Sequence, residues 1–207
     1  MELQQYDAII FALGGVIINI DYQATIRAFQ ELNIPQFEQL YTQAQQNHVF
    51  DQLETGQLSN DDFRNYIRRE AQMELTDRQI DKAWNAMLLD LPEARIETLT
   101  NVAREKPIYL LSNTNAIHID WFTEYMNEKS IGFTAFNDLF VNTHYSSILG
   151  DRKPNASCFE KVIKINQLDP ARTLFIDDSA QHVEGAQKVG LNAYHLINET
   201  IVDLFKI

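Results

Sequence analysis

The chain has a single cysteine, Cys158, so no internal disulfide can form. No nucleophile signature of Cys and His surrounds it, which leaves a buried or half-buried helix thiol. Basic residues are scarce as well: 17 Lys and Arg face 29 Asp and Glu, a formal net charge of −12. A surface of that sign disfavours nucleic acid and anionic membrane as partners. It also obliges any anionic ligand to find local positive charge in a metal ion, a lysine or helix amides. No apolar run reaches the roughly 18 residues of a membrane span. The opening Met1-Glu2-Leu3-Gln4-Gln5 lacks the basic start and apolar stretch of a secretion signal. A soluble, cytoplasmic protein is therefore expected, monomeric or weakly dimeric. Repeats, low-complexity tracts and flexible linkers are also missing.

What remains is ordinary for a globular protein. The 207 residues are 45% hydrophobic and 22% charged, enough to bury a core and leave a cleft between two lobes. Short apolar runs punctuate the chain, each followed by small or polar residues. Ala8-Ile9-Ile10-Phe11 precedes Gly14-Gly15. Ile108-Tyr109-Leu110-Leu111 precedes Ser112-Asn113-Thr114-Asn115. Leu139-Phe140-Val141 precedes polar residues, and Thr173-Leu174-Phe175-Ile176 precedes Asp177-Asp178-Ser179. Asn192-Ala193-Tyr194-His195-Leu196 closes the series.

Runs without alternation predict strands buried on both faces, hence a parallel sheet. Between the later runs the spacing turns helical. Phe159, Val162 and Ile163 predict a helix over 160–165 with Pro154 near its start. A second, over 182–189, ends at Gly190. Strands alternating with helices imply a doubly wound α/β domain, whose ligands bind beyond the carboxyl ends of the strands. The polar clusters all sit at those ends.

The stretch from about Tyr22 to Lys106 carries no strand signal. Thr76-Asp77-Arg78-Gln79 reads as a capping box, and Ser59-Asn60-Asp61-Asp62 as a helix start after a turn at Gly56. Pro35 and Pro92 suit first helical turns. The expected organisation is a core of residues 1–20 and 104–207, with an all-helical cap of residues 21–103 standing over the sheet edge.

Four clusters at the strand ends carry the chemistry. They are Phe11-Ala12-Leu13-Gly14-Gly15, Leu111-Ser112-Asn113-Thr114-Asn115, Gly150-Asp151-Arg152-Lys153-Pro154, and Phe175-Ile176-Asp177-Asp178-Ser179 continuing to Glu184-Gly185-Ala186. Asp177, with Asp178 beside it, suits a hard cation such as Mg²⁺. Ser112 offers a hydroxyl to a phosphate oxygen, and the amides of Asn113 and Thr114 offer N–H groups. Lys153 adds a compact positive charge. In order and spacing these clusters resemble the haloacid dehalogenase superfamily over essentially the whole chain. Within it they are most similar to the bacterial branch with a small helical cap that contains the glucose-1-phosphatases.

The resemblance implies Mg²⁺-dependent hydrolysis of a small phosphate monoester, such as a sugar phosphate, through an aspartyl-phosphate. It assigns metal binding to the Gly14 carbonyl, Asp177 and Asp178, and phosphoryl binding to Ser112, Asn113 and Lys153. The position matching the nucleophilic aspartate is Ala12, and alanine can neither attack nor ligate. Gly14 stands where many relatives carry a second, acid–base aspartate. The intact frame around Ala12 points to an enzyme disabled by substitution or recent loss. The alternative is a natural pseudophosphatase that binds a phosphorylated ligand or a protein partner. Cap residues His48, Phe50, Asp51, Glu54 and Trp84 are candidates to face the ligand. His182 reads as a surface or helix-start residue, and Glu184 as solvent-facing or a partner of Lys153.

Overall fold

The computed structural model describes residues 3–34, 37–40 and 48–205. Among them, strands β1 (Ala8–Phe11), β2 (Ile108–Ser112), β3 (Asn142–Tyr145), β4 (Thr173–Asp177) and β5 (Asn192–His195) pair in parallel in the order β3-β2-β1-β4-β5. The helices are α1 (Tyr22–Glu31), α2 (Phe37–Leu40), α3 (His48–Glu54), α4 (Asn60–Ala71), α5 (Asp77–Asn85), α6 (Glu93–Glu105), α7 (Ala116–Glu128), α8 (Phe133–Asn137), α9 (Ser146–Leu149), α10 (Ala156–Asn166), α11 (Ala180–Lys188) and α12 (Ile201–Leu204).

Alternate residues of each central strand feed two apolar layers. Ile9, Phe11, Ile108, Leu110, Leu174 and Ile176 pack with Leu99 and Val102 of α6, Phe122 and Met126 of α7, and Leu204 of α12. Ala8, Ile10, Tyr109, Leu111 and Phe175 pack on the other side with Phe159 and Val162 of α10 and Ala186 of α11. Both faces are covered, which is why the runs in β1, β2 and β4 do not alternate.

The third strand differs from expectation. The apolar run Leu139-Phe140-Val141 leads into β3 rather than forming it. Phe140 is buried in the first layer, whereas Val141 is 57% exposed. The strand itself starts at Asn142 and lies at the sheet edge, where one partly open face does not require a continuous apolar run.

Helices α1 to α5 close around their own aromatic cluster of Phe29, Phe37, Phe50, Phe63 and Trp84. Phe29 stacks on Phe37 at 3.8 Å and Trp84 on Phe50 at 5.2 Å. Ser59 caps α4 by accepting from Asp62 N, and Thr76 and Gln79 form the capping box of α5. Pro92 is the N-cap of α6 rather than its first residue; Pro35 lies outside the described residues. The cap leaves and rejoins the core on paired stems. Ile20 bridges Leu88, and Asn19 and Asp21 exchange backbone hydrogen bonds with residues 87–90. Helix α6 packs in the sheet layer, and the stems bring the chain back near Leu88.

Candidate active site

The carboxyl ends of β1, β2 and β4 open into a cleft of about 610 Å³, roofed by the cap. Its floor includes Leu13, Gly14, Ser112, Asn113, Thr114, Lys153, Asp177, Asp178 and His182, and its roof Tyr22, Asp51, Glu54, Trp84, Met87 and Leu88. Order reversal beside β1 places this crevice at the switch point of the sheet.

Ala12 is 2% exposed and donates its N–H to the Ile176 carbonyl at 3.0 Å. Beyond it the chain turns through Gly15, whose φ is +74°. A Cβ there would lie 2.0 Å from Asp178 Oδ2, so only glycine leaves that carboxyl its place. A Cβ at Gly14 would lie 2.1 Å from Ile20 Cδ1, the tip of a side chain that can turn aside.

Lys153 and Asp177 form a buried pair, Nζ to Oδ2 at 2.6 Å, with residue exposures of 2% and 1%. Asn113 holds the lysine's backbone at both ends. Its Nδ2 donates to Lys153 O at 2.8 Å, and its Oδ1 accepts from Lys153 N at 2.9 Å. Asp177 Oδ1 accepts from Ser179 N at 2.9 Å and bonds His182 Nδ1 at 3.0 Å. Burial alone would raise the Asp177 carboxyl, but Lys153 and then His182 outweigh it and hold it well below the usual range. Asp178 goes the other way: burial first, then the adjacent Asp177 charge, push it up to about 6.

Several expected residues stand differently. His182 is no bystander on a helix start; it lines the cleft and binds Asp177. Glu184 is exposed, and the lysine's carboxylate partner is Asp177. Thr114 N–H is already committed to Ser146 Oγ at 2.8 Å, which removes it from the expected phosphate amides. The N-cap of α7 is Asn115. Ser112 is 4% exposed and lines the cleft. Phe50 is fully buried within the cap, whereas Asp51 and Glu54 reach the cleft and meet Arg152. The His48 side chain lies outside the described residues. Burial pushes the Cys158 thiol up to about 12, in keeping with an inert packing role.

Sequence reasoning missed two cleft features. Arg152 ties the core to α3, its Nε 3.0 Å from Glu54 Oε2 with Asp51 as second partner. His118 bonds Asn85 at 2.7 Å and stacks on Trp84. Helical spacing could have put His118 on the inner face of α7, but not opposite α5.

The donor set suits a hard cation. Asp177, Asp178 and Gly14 all line the cleft, and a carboxylate short of positive charge, as Asp178 is, gains from a cation. Among the described residues no group of three or more His, Cys, Asp or Glu gathers into a metal cage; Mg²⁺ commonly takes one or two carboxylates and completes its shell with water and phosphate oxygens.

Known proteins resemble this chain over most of its length. The D-ribitol-5-phosphate phosphatase of Bacteroides thetaiotaomicron is 28% identical over 90% of this chain and 89% of its own length. A sesquiterpene phosphatase of Aspergillus oryzae is 25% identical over 92% and 90%. A solved HAD family enzyme from Bacteroides thetaiotaomicron superposes with a TM-score of 0.88 at 32% identity, covering 97% of this chain and 98% of that one. That structure is an aspartate-to-alanine mutant in complex with magnesium and inorganic phosphate. The family model for haloacid dehalogenase-like hydrolases matches residues 6–190, nearly the whole of the sheet and all of the cap, and the chain belongs to that family.

Proposed function

We propose that the cleft binds a small phosphate monoester of a sugar or polyol together with Mg²⁺, and that this chain does not hydrolyse it. The carrying observation is the ordered Asn113–Lys153–Asp177–His182 arrangement around a strand end where residue 12 is alanine. Lys153 Nζ is the positive charge for the phosphoryl oxygens, and Ser112 Oγ and the Asn113 N–H are the neutral donors. Asp177, Asp178 and the Gly14 carbonyl would hold Mg²⁺. Bound there, the ion supplies charge neutralisation at the phosphoryl group. Asn113 fixes the lysine's backbone, and His182 with Ser179 N fixes the Asp177 carboxylate.

What this chain lacks is the attacking oxygen. A methyl group has no lone pair to offer phosphorus, so no acyl-phosphate bond forms and the ester bond keeps its electrons. An aspartate-to-alanine mutant of a relative holds magnesium and inorganic phosphate, which supports binding without turnover. The ribitol-phosphate substrate of one relative supports a polyol ligand.

The test is Ala12→Asp, assayed with Mg²⁺ against ribitol 5-phosphate and other monoesters. Turnover is expected to rise by on the order of a thousandfold or more. The unreverted chain should bind inorganic phosphate and release none from the esters. A revertant as inactive as the parent sinks the disabled-enzyme reading and leaves the non-catalytic binder.

A further inference from the structure

His118 has no part in the phosphate and metal reading, yet its surroundings prepare it for a ligand. It lies in the first turn of α7, is 7% exposed and lines the cleft. Its Nδ1 is 2.7 Å from Asn85 Oδ1 at the end of α5. An amide oxygen can only accept, so Nδ1 carries the ring proton. The ring lies flat on Trp84, 5.1 Å away and 8° from parallel, and Trp84 lies flat on Phe50. Stack and hydrogen bond together fix both orientation and tautomer. Burial pushes the ring pKa down to about 3, so the imidazole is neutral. Nε2 therefore offers a lone pair, and among the described residues it has no hydrogen-bond partner.

A lone pair of that kind selects its ligand. Ionised phosphate oxygens cannot satisfy it, because they only accept. Among the residues lining the cleft, Asp51 and Glu54 bear acceptors, Ile18, Ile20, Met87 and Leu88 are apolar, and the cationic donors Arg152 and Lys153 are held by carboxylates. A hydroxyl group can satisfy it. We infer that His118 Nε2 accepts a hydrogen bond from a hydroxyl of the ligand's alcohol portion, making His118 a specificity-determining residue that favours polyol phosphates over phosphates of plain alcohols. The inference rests on the cleft being a phosphate-ester site.

Three probes separate the two readings: inorganic phosphate, ribitol 5-phosphate and n-pentyl phosphate, each titrated calorimetrically into the full chain with Mg²⁺. Ribitol 5-phosphate should bind about tenfold more tightly than pentyl phosphate. His118→Phe keeps a flat ring on Trp84 and should remove that advantage while leaving phosphate and pentyl phosphate unchanged. A second readout uses the unaltered chain labelled with ¹⁵N-histidine. The Nε2 resonance should stay that of an unprotonated nitrogen over roughly pH 5–8, where an ordinary histidine changes charge. It should shift with ribitol 5-phosphate and not with inorganic phosphate. Equal affinity for the two esters, or an unmoved Nε2 resonance, overturns the role of His118 alone. If inorganic phosphate itself does not bind, the phosphate-ester reading falls and this inference falls with it.

Discussion

Lys153 and Asp177 are the most exacting residues in the cleft, because each is a charge almost wholly removed from water. Such a pair need not stabilise the fold against apolar replacements, but removing one partner strands the other. Asp177→Asn should therefore cost about 3–5 kcal/mol, seen as a drop in the urea midpoint. The double variant Lys153→Met/Asp177→Leu should recover part of it. If the single variant melts like the parent, the lysine has another anchor. His118 makes a second prediction through its pKa. Unfolded, it takes up its proton near 6.5; folded, only near 3. Between those values the unfolded chain holds more protons, so the stability this neutral ring contributes is present above 6.5 and is lost as pH falls toward 3. The loss should amount to several kcal/mol at the acid end. It is checked by comparing unfolding free energies with His118→Phe across that range: the parent's advantage should shrink steadily, and a constant difference would rule it out. Ala12, Ser112, Lys153 and Asp177 were legible in the sequence because each stands in a short cluster at a strand end. The pairing of His118 with Asn85 was not, since the two residues lie 33 apart in the chain, on different helices, and neither sits in a motif.

At the scale of elements, the close approach of α3 to α9 governs how the cap seats. Gly56, just past α3, has φ +70°, and a Cβ there would lie 2.2 Å from the Ser147 carbonyl oxygen. Backbone cannot rotate away as a side chain tip can. Gly56→Ala should thus strain the turn and lift α3 from α9, at about 1–3 kcal/mol. Thermal unfolding measures the cost, and Trp84 fluorescence reports the shift of its Phe50 neighbour. An unchanged melting temperature would mean the cap slides without penalty. Hydrophobic pattern foretold β1, β2 and β4, and capping residues foretold the starts of α4 and α5, because strands covered on both faces and capped helices each leave a local signature. It misplaced β3, whose edge position makes its burial one-sided. The antiparallel stems at Ile20 and Leu88 are a tertiary pairing with no sequence period of their own.

For the whole molecule, three apolar clusters decide how stability is shared. Two lie on opposite faces of one sheet and have β1, β2 and β4 in common. The third belongs to the cap and reaches the core chiefly through Ile117 of α7, with His118–Asn85 and Arg152–Glu54 as polar ties. The two sheet layers must open together, because exposing one face of β1 or β4 uncovers strands the other layer needs. The cap can open at its stems while its own aromatic cluster stays intact or melts separately, since opening exposes few of the sheet's side chains. Native-state hydrogen exchange should therefore resolve two cooperative units. Amides of α1, α4 and α5 should exchange together at a lower opening free energy than those of β1 and β4. Arg152→Ala should widen the gap by more than about 1 kcal/mol, because it strands the buried Glu54 as well as freeing the half-exposed Asp51, and it should leave sheet protection unchanged. Equal protection of α4 and β4 would show instead that cap and sheet unfold as one unit, and that the polar ties across the cleft are stronger than their partial exposure implies.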